Sequence, residues 1–267
     1  MERFRLVATD LDGTLLDGQR GLSERTRRAL RTAEDAGAEV VLVTARPPRY
    51  VDRLADAYGL TGTAVCSNGA MVYDIASRTV TMSRTLSRDL ARRVADALSA
   101  SFPDIGFALE TGHRVLIAPE FGLRHTGDGA AEHEISSSEQ LWVTEDPIVK
   151  LLAWSARAHA DALLAAAETS LGPVASFTHS GGAGLLEVSA SGVTKAGTLA
   201  GLCSDRGIGA DEVVAFGDMP NDLSVLSWAG AGYAVANAHP TVLSAVTRHT
   251  RSNEEDGVAA VLEELFA

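Results

Sequence analysis

Short β-rich apolar runs alternate with amphipathic helical segments at both ends of this chain, and that rhythm constrains the fold more than any other feature. Residues 4–9 read as a buried strand bounded by the turn-like Asp12-Gly13-Thr14. Ser23 supplies an N-cap for a helix over 24–36, with Leu30 and Ala33 on its apolar face and Gly37 closing it. A second run, 39–43, ends at Thr44, and a helix at about 47–57 leads to a third strand at 64–66. The other end repeats the pattern: a helix over 194–206, a strand over 213–216 running into Gly217-Asp218, a helix at 221–228, a strand at 232–235, and helices at 240–246 and 257–265. Strand, helix, strand, helix is the order of a parallel sheet with helices on both faces.

The middle has another texture. It holds a helix at 87–100, strand-like segments at 105–109 and 114–118, an apolar stretch at 148–154, an alanine-rich helix at 158–170 and a glycine cluster at 181–184. Residues 125–139 are polar and read as a loop. The expected class is α/β: a doubly wound, Rossmann-like core made of residues 1–83 and 185–267, with an α+β cap domain, residues 84–184, inserted into it. A chain of 267 residues with 46% apolar residues can fill two such cores.

A net charge of −12 with scattered basic residues argues against a sequence-independent grip on nucleic acid. It also means that an anionic ligand needs a local positive site or a metal ion. No run approaches the ~18 apolar residues of a membrane span. Two cysteines, Cys66 and Cys203, lack metal-ligand spacing and sit among apolar or small residues, as buried free thiols do. With no signal-peptide core at the start of the sequence, a reducing cytoplasm is the expected location.

Ligands of open parallel sheets bind beyond the carboxyl ends of the strands, and reactive groups cluster there. Asp10-Leu11-Asp12-Gly13-Thr14 follows the first strand, and extended alternation would put the side chains of Asp10 and Asp12 on one side. Such a pair favours a cation or a shared proton; magnesium, a hard cation that takes oxygen ligands, suits it. An Asp-rich solvated turn would read the same way. Gly217-Asp218-Met219-Pro220-Asn221-Asp222 also follows a strand; helix capping explains one of its carboxylates more easily than two. Thr44-Ala45-Arg46 offers a hydroxyl and free N–H groups at a helix start, a seat for phosphate. Lys195 stands at the start of a helix, where a positive charge is not favoured.

In this order the four motifs resemble those of the haloacid dehalogenase superfamily, and the length between Thr44 and Lys195 resembles its Cof-type, C2B-capped branch. Asn68-Gly69-Ala70, Ala236-Asn237-Ala238 and the stretch from Asn253 to Ala259 are similar to that branch too. The resemblance implies a phosphatase in which Asp10 attacks phosphorus and Asp12 is general acid and base. It implies Mg2+ held by Asp10, Asp218 and the Asp12 carbonyl, with Asp222 in support. Thr44, Lys195 and Asn221, with backbone amides near Leu11 and Ala45, would hold the phosphoryl oxygens. Thr9 and Ala45 depart from the residues common at their positions.

A cap over the carboxyl ends can exclude water and contact the leaving group; Glu110, His113, Arg114 and His179 are the candidate contacts there, and Trp142 and Trp154 read as packing. The expected partner is a small phosphate ester, with sugar phosphates the default, and no nucleic acid or membrane; the chain is expected as a monomer or homodimer. A phosphomutase or dedicated sugar-phosphate phosphatase is the sibling alternative. A phospho-accepting receiver module is the alternative from another class, against which Asp12 and the long insertion speak.

Overall fold

A computed structural model of the chain describes residues 4–122, 131–179 and 184–266. The chain opens with β1 (Leu6–Thr9), α1 (Glu24–Asp35), β2 (Glu39–Val43), α2 (Pro48–Tyr58), β3 (Thr63–Cys66), β4 (Met71–Asp74) and β5 (Thr79–Ser83). There follow α3 (Arg88–Ser101), β6 (Gly106–Glu110), β7 (Val115–Ile117), β8 (Glu132–Glu134), β9 (Lys150–Trp154), α4 (Ala160–Leu171), β10 (Ala175–Thr178) and β11 (Leu185–Ala190). The last third holds α5 (Lys195–Asp205), β12 (Val213–Gly217), α6 (Leu223–Trp228), β13 (Ala231–Ala234), α7 (Pro240–Ala245), β14 (Arg248–His249) and α8 (Gly257–Phe266).

Two compact units result, one of Met1–Met82 with Thr194–Ala267, the other of Ser83–Val193. The first carries an eight-stranded sheet in the order β14-β13-β12-β1-β2-β3-β4-β5. From β14 to β3 every pairing is parallel, and β4 then runs antiparallel to β3. Parallel strands covered on both faces must be apolar throughout, and β1 and β12 are buried at every position. Leu6, Ala8, Val41 and Val43 pack with Leu199 of α5 and Val225 of α6. The alternate residues Val7 and Leu42, equally buried, turn to the other face.

Ser23 does cap α1: its Oγ accepts from the Thr26 N–H at 3.0 Å and donates to Asp256 Oδ1 at 2.5 Å. One hydroxyl thereby fixes the start of α1 and ties it to the turn before α8, the helix that α1 packs against.

The second unit has a six-stranded sheet, β10-β11-β9-β6-β7-β8, antiparallel except for β7 with β8. Leu98 of α3 and Leu163 of α4 share a core with Leu109, Leu151 and Val188 on one face of that sheet. Trp142 and Trp154 both pack against apolar clusters.

Several expectations need correction. The section expected to close at residue 184 runs on to Val193, because β11 pairs with β9 and β10. Of the expected 125–139 loop, residues 125–130 lie outside the described residues, and β8 occupies part of the rest. Residues 181–183 of the glycine cluster also lie outside them. Among the described residues no helix is long and apolar enough to cross a membrane.

Replacing Ser23 by Ala removes the hydroxyl's hydrogen bonds to Thr26 and Asp256 and is expected to lower stability by about 1 kcal/mol, read from urea unfolding. A change below about 0.2 kcal/mol would mean that the cap does not hold α1.

Candidate active site

The chain runs outward from β1 to β2 and β3 on one side and returns on the other through β12, so the strand order reverses beside β1. Crevices at such reversals are where open α/β sheets bind ligands. Register then decides which residues meet there. Thr9 lies opposite Phe216 of β12 and Leu42 of β2, so Asp10, Asp218 and Thr44 all fall just past the ends of three adjacent strands. The Asp10 N–H donates to the Phe216 carbonyl at 3.1 Å and continues that register one residue further.

Lys195, the first residue of α5, is 1% exposed and its ammonium donates to Asp10 Oδ1 and Asp222 Oδ1, both at 2.6 Å. Asp222 Oδ2 accepts from the N–H groups of Asp218 and Met219 at 3.1 and 3.0 Å. Asp218 Oδ1 accepts from Thr14 Oγ at 3.0 Å. Gly13 makes this approach possible: its φ is +82°, and a Cβ there would lie 2.5 Å from Asp218 Oδ2.

Burial pushes the Asp10 carboxyl well above its ordinary range; Lys195 pulls it back, while Asp222 and Asp218 push it further up. Asp218 is pushed up to about 7, by burial first and then by Asp222, against the pull of Thr14 and Lys195. Burial works against the charge on Lys195, but Asp10 and Asp222 outweigh it and hold its pKa above the ordinary value.

The side chain of Asp12 lies in a different network. Arg46 grips it with both arms of the fork, Nε to Oδ2 at 2.9 Å and Nη2 to Oδ1 at 3.0 Å. Arg20 Nε lies 3.9 Å from Oδ1, the Tyr50 hydroxyl donates to the same oxygen at 3.4 Å, and the Arg46 guanidinium lies 4.7 Å from the centre of the Tyr50 ring. Strand alternation does not place this residue: β1 ends at Thr9, and the buried Leu11 begins a turn whose carbonyl accepts from the N–H groups of Thr14, Leu15 and Leu16.

Thr44 is buried, and its Oγ accepts from the Arg46 N–H at 3.0 Å, which folds the loop around Ala45. Asn221 donates through Nδ2 to Asn68 Oδ1 at 3.0 Å, and its own Oδ1 is buried with no hydrogen-bond partner among the described residues. Asn237 donates to the Gly13 carbonyl at 2.7 Å, and Asn253 donates to the Leu16 carbonyl at 2.9 Å. The stretches around Asn237 and Asn253 thus hold the segment that follows Asp10.

Arg46 and Asn68 stand in motifs that the sequence singles out, but the contacts of their side chains, to Asp12 and to Asn221, are visible only in the structure.

The second unit's candidates are not gathered in one cluster. Glu110 is buried and accepts from the Gly112 N–H at 2.7 Å; Arg114 donates to Asp146 at 2.8 Å; His113 is exposed. His179 follows the far edge strand β10 and pairs with Asp161 at 2.9 Å. In the same sheet Lys150 and Glu187 form a buried ion pair, with Lys150 opposite Glu110 in register. Charged residues inside otherwise apolar strands were the signal for that pair.

The donor set fits a hard divalent cation. Asp10, Asp218 and Asp222 each offer a carboxylate oxygen, all within 4.8 Å of one another. Both oxygens of Asp222 are taken by Lys195 and two N–H groups, whereas the second oxygens of Asp10 and Asp218 receive no hydrogen bond from the described residues. Those two oxygens would be the ligands, and a cation there would relieve the repulsion that raises both carboxyls.

A parallel sheet with an acidic, lysine-bearing crevice at its reversal is an α/β arrangement suited to binding a phosphate and a divalent cation. The sequence pattern of the haloacid dehalogenase-like hydrolases matches residues 7–262, and the chain belongs to that family. It is similar to the 5-amino-6-(5-phospho-D-ribitylamino)uracil phosphatase YitU of Bacillus subtilis, 27% identical over 98% of this chain and 97% of that one. The pyridoxal phosphate phosphatase YbhA of Escherichia coli is 25% identical over 96% of each. In fold it is similar to the crystal structure of SMU.1108c from Streptococcus mutans, with a TM-score of 0.85 at 22% identity over 98% of each chain.

Lys195→Met would leave Asp10 and Asp222 buried without their cation and is expected to cost about 3–5 kcal/mol at pH 8 in EDTA. A buried carboxyl with a raised folded pKa takes up a proton on folding; its contribution is fullest at low pH and lost as pH rises, for Asp218 between 3.8 and about 7. The variant raises Asp10 further, so its deficit in urea unfolding should shrink toward pH 5. A deficit that does not change with pH would show that Lys195 does not balance these carboxylates.

Proposed function

We propose that the protein is a magnesium-dependent phosphatase of small phosphorylated metabolites that works through an aspartyl-phosphate on Asp10. One observation carries this reading: Asp10 is held by Lys195 through one oxygen and keeps the other unbonded beside Asp218, at the end of β1. Asp10 attacks phosphorus through the carboxylate oxygen that the metal does not take, and the P–O bond to the leaving group breaks as Asp12 gives a proton to the departing oxygen. Asp12 then takes a proton from water, the water oxygen attacks the phosphorus of the aspartyl-phosphate, and orthophosphate leaves with Asp10 restored.

Lys195, Thr44, Asn221 and the N–H groups near Leu11 and Ala45 hold the phosphoryl oxygens, and Arg46 positions Asp12. Asp10, Asp218 and the Asp12 carbonyl hold the metal, with Asp222 fixed behind them. Bound there, magnesium supplies charge that offsets the phosphoryl oxygens in the transition state. Lys195 and Arg46 provide the local positive charge that an anionic substrate needs on a chain of net charge −12.

Two relatives named for different small phosphate monoesters support the substrate class. Membership of the hydrolase family over residues 7–262 removes the receiver-module reading. The buried free thiols Cys66 and Cys203 suit a reducing cytoplasm.

A panel of phosphorylated metabolites assayed for phosphate release should show turnover with magnesium, none with EDTA, and none for Asp10→Asn. Full activity in that variant, or no release from any ester, would sink the reading.

A further inference from the structure

The turn between β3 and β4 has no part in the chemistry above, yet its backbone is unusual. Ser67, Asn68 and Gly69 have φ of 52°, 57° and 97°, three successive residues in the left-handed region, two of them carrying a Cβ. Strain of this kind persists where surrounding structure over-determines it, and it gathers at functional sites. Here the surroundings are three separate parts of the site. The Ser67 N–H donates to the Arg46 carbonyl at 2.9 Å, and the Asn68 N–H donates to the Thr44 carbonyl at 3.0 Å. The Gly69 carbonyl accepts from Thr198 Oγ in the first turn of α5 at 2.7 Å, and a Cβ on Gly69 would lie 2.2 Å from the Thr194 carbonyl. The Asn68 side chain meets Asn221.

We propose that Asn68 is a positioning residue for the phosphoryl group, acting through Asn221. A carboxamide can present either its oxygen or its N–H2 in a given direction. Asn68 Oδ1 accepts one Nδ2 hydrogen of Asn221 and thereby fixes which end lies where, leaving the second hydrogen for a phosphoryl oxygen. The left-handed backbone is what brings Asn68 to that point, with its N–H still tied to the Thr44 loop. The inference rests on the phosphatase reading for its substrate, but not on turnover for its test.

Asn68→Gly isolates the side chain, since glycine adopts the same backbone freely and keeps both backbone hydrogen bonds. Orthophosphate affinity with magnesium, by calorimetry, and kcat are measured for the wild type, Asn68→Gly, Asn221→Ala and the double variant. Asn68→Gly should weaken phosphate binding by roughly 2- to 10-fold and lower kcat by about tenfold or more, with its Tm within about 3 °C of the wild type. The double variant should be no worse than Asn221→Ala alone, because the two residues act as one unit.

Affinity unchanged in Asn68→Gly, or losses that multiply in the double variant, would overturn the proposal. A wild type that binds orthophosphate but hydrolyses no ester refutes the phosphatase reading alone, and the affinity cycle still decides the role of Asn68. A wild type that binds no orthophosphate refutes both.

Discussion

The ammonium of Lys195 is the interaction on which the rest of the first unit's chemistry depends. Three carboxylates, those of Asp10, Asp218 and Asp222, are each at most 7% exposed, and one buried cation bridges two of them. Isolated carboxylates would neutralise in such surroundings. Lys195 bonds one oxygen each of Asp10 and Asp222, and the peptide N–H groups of Asp218 and Met219 bond the second oxygen of Asp222. What is left uncompensated is one oxygen on Asp10 and one on Asp218, side by side. Among the described residues, hydrogen bonds thus reach every carboxylate oxygen of the group except these two.

No local feature of the chain could assemble this group, since Lys195 and Asp10 are 185 residues apart. Parallel pairing of β1 with β12 does it, by setting Thr9 opposite Phe216 and so bringing the residues past each strand to the same level. Slipping that register by one residue would turn every buried side chain of β1 to the other face of the sheet. The apolar continuity of β1 and β12 is therefore as much a part of the site as its charges. The same dependence explains Asn237 and Asn253, which touch no carboxylate of the group but hold the turn in which Gly13 makes its close approach to Asp218.

The sequence made the core strands legible because parallel, fully buried strands are unbroken apolar runs. It hid the strands that lack this texture. β5 is mostly exposed, β8 reads Glu-His-Glu, and β11 carries Glu187 in its middle. Such strands are set by their neighbours and not by local pattern, which is why the end of the second unit lay nine residues beyond the expected 184. In the site, Lys195 was readable as a residue in an electrostatically wrong place, at a helix start; its burial against Asp10 and Asp222 accounts for it. Asn68 was legible as part of a motif but its contact with Asn221 was not, because nothing in an Asn-Gly pair separates a strained clamp from an ordinary turn. The Asp10 and Asp12 side chains were expected together on one side of an extended strand, but a turn positions Asp12 and places it in the Arg46 network, apart from that of Asp10.

That turn has a chemical consequence. Asp10 and Asp12 are two residues apart, yet their side chains occupy environments of different polarity: 9% exposed beside a buried lysine for one, 34% exposed in an arginine fork for the other. Charge interactions are strong in the first place and screened in the second. A group that must form and break a bond to phosphorus gains from a dry surrounding that fixes its direction. One that must exchange protons with a leaving oxygen and then with water needs access to solvent. In the proposed mechanism Arg46 would reconcile these demands for Asp12, since it holds the carboxylate in a fixed direction without burying it, with the Tyr50 ring against the guanidinium. One short turn after a buried strand therefore gives two identical side chains two different environments, as the proposed division of roles between them requires.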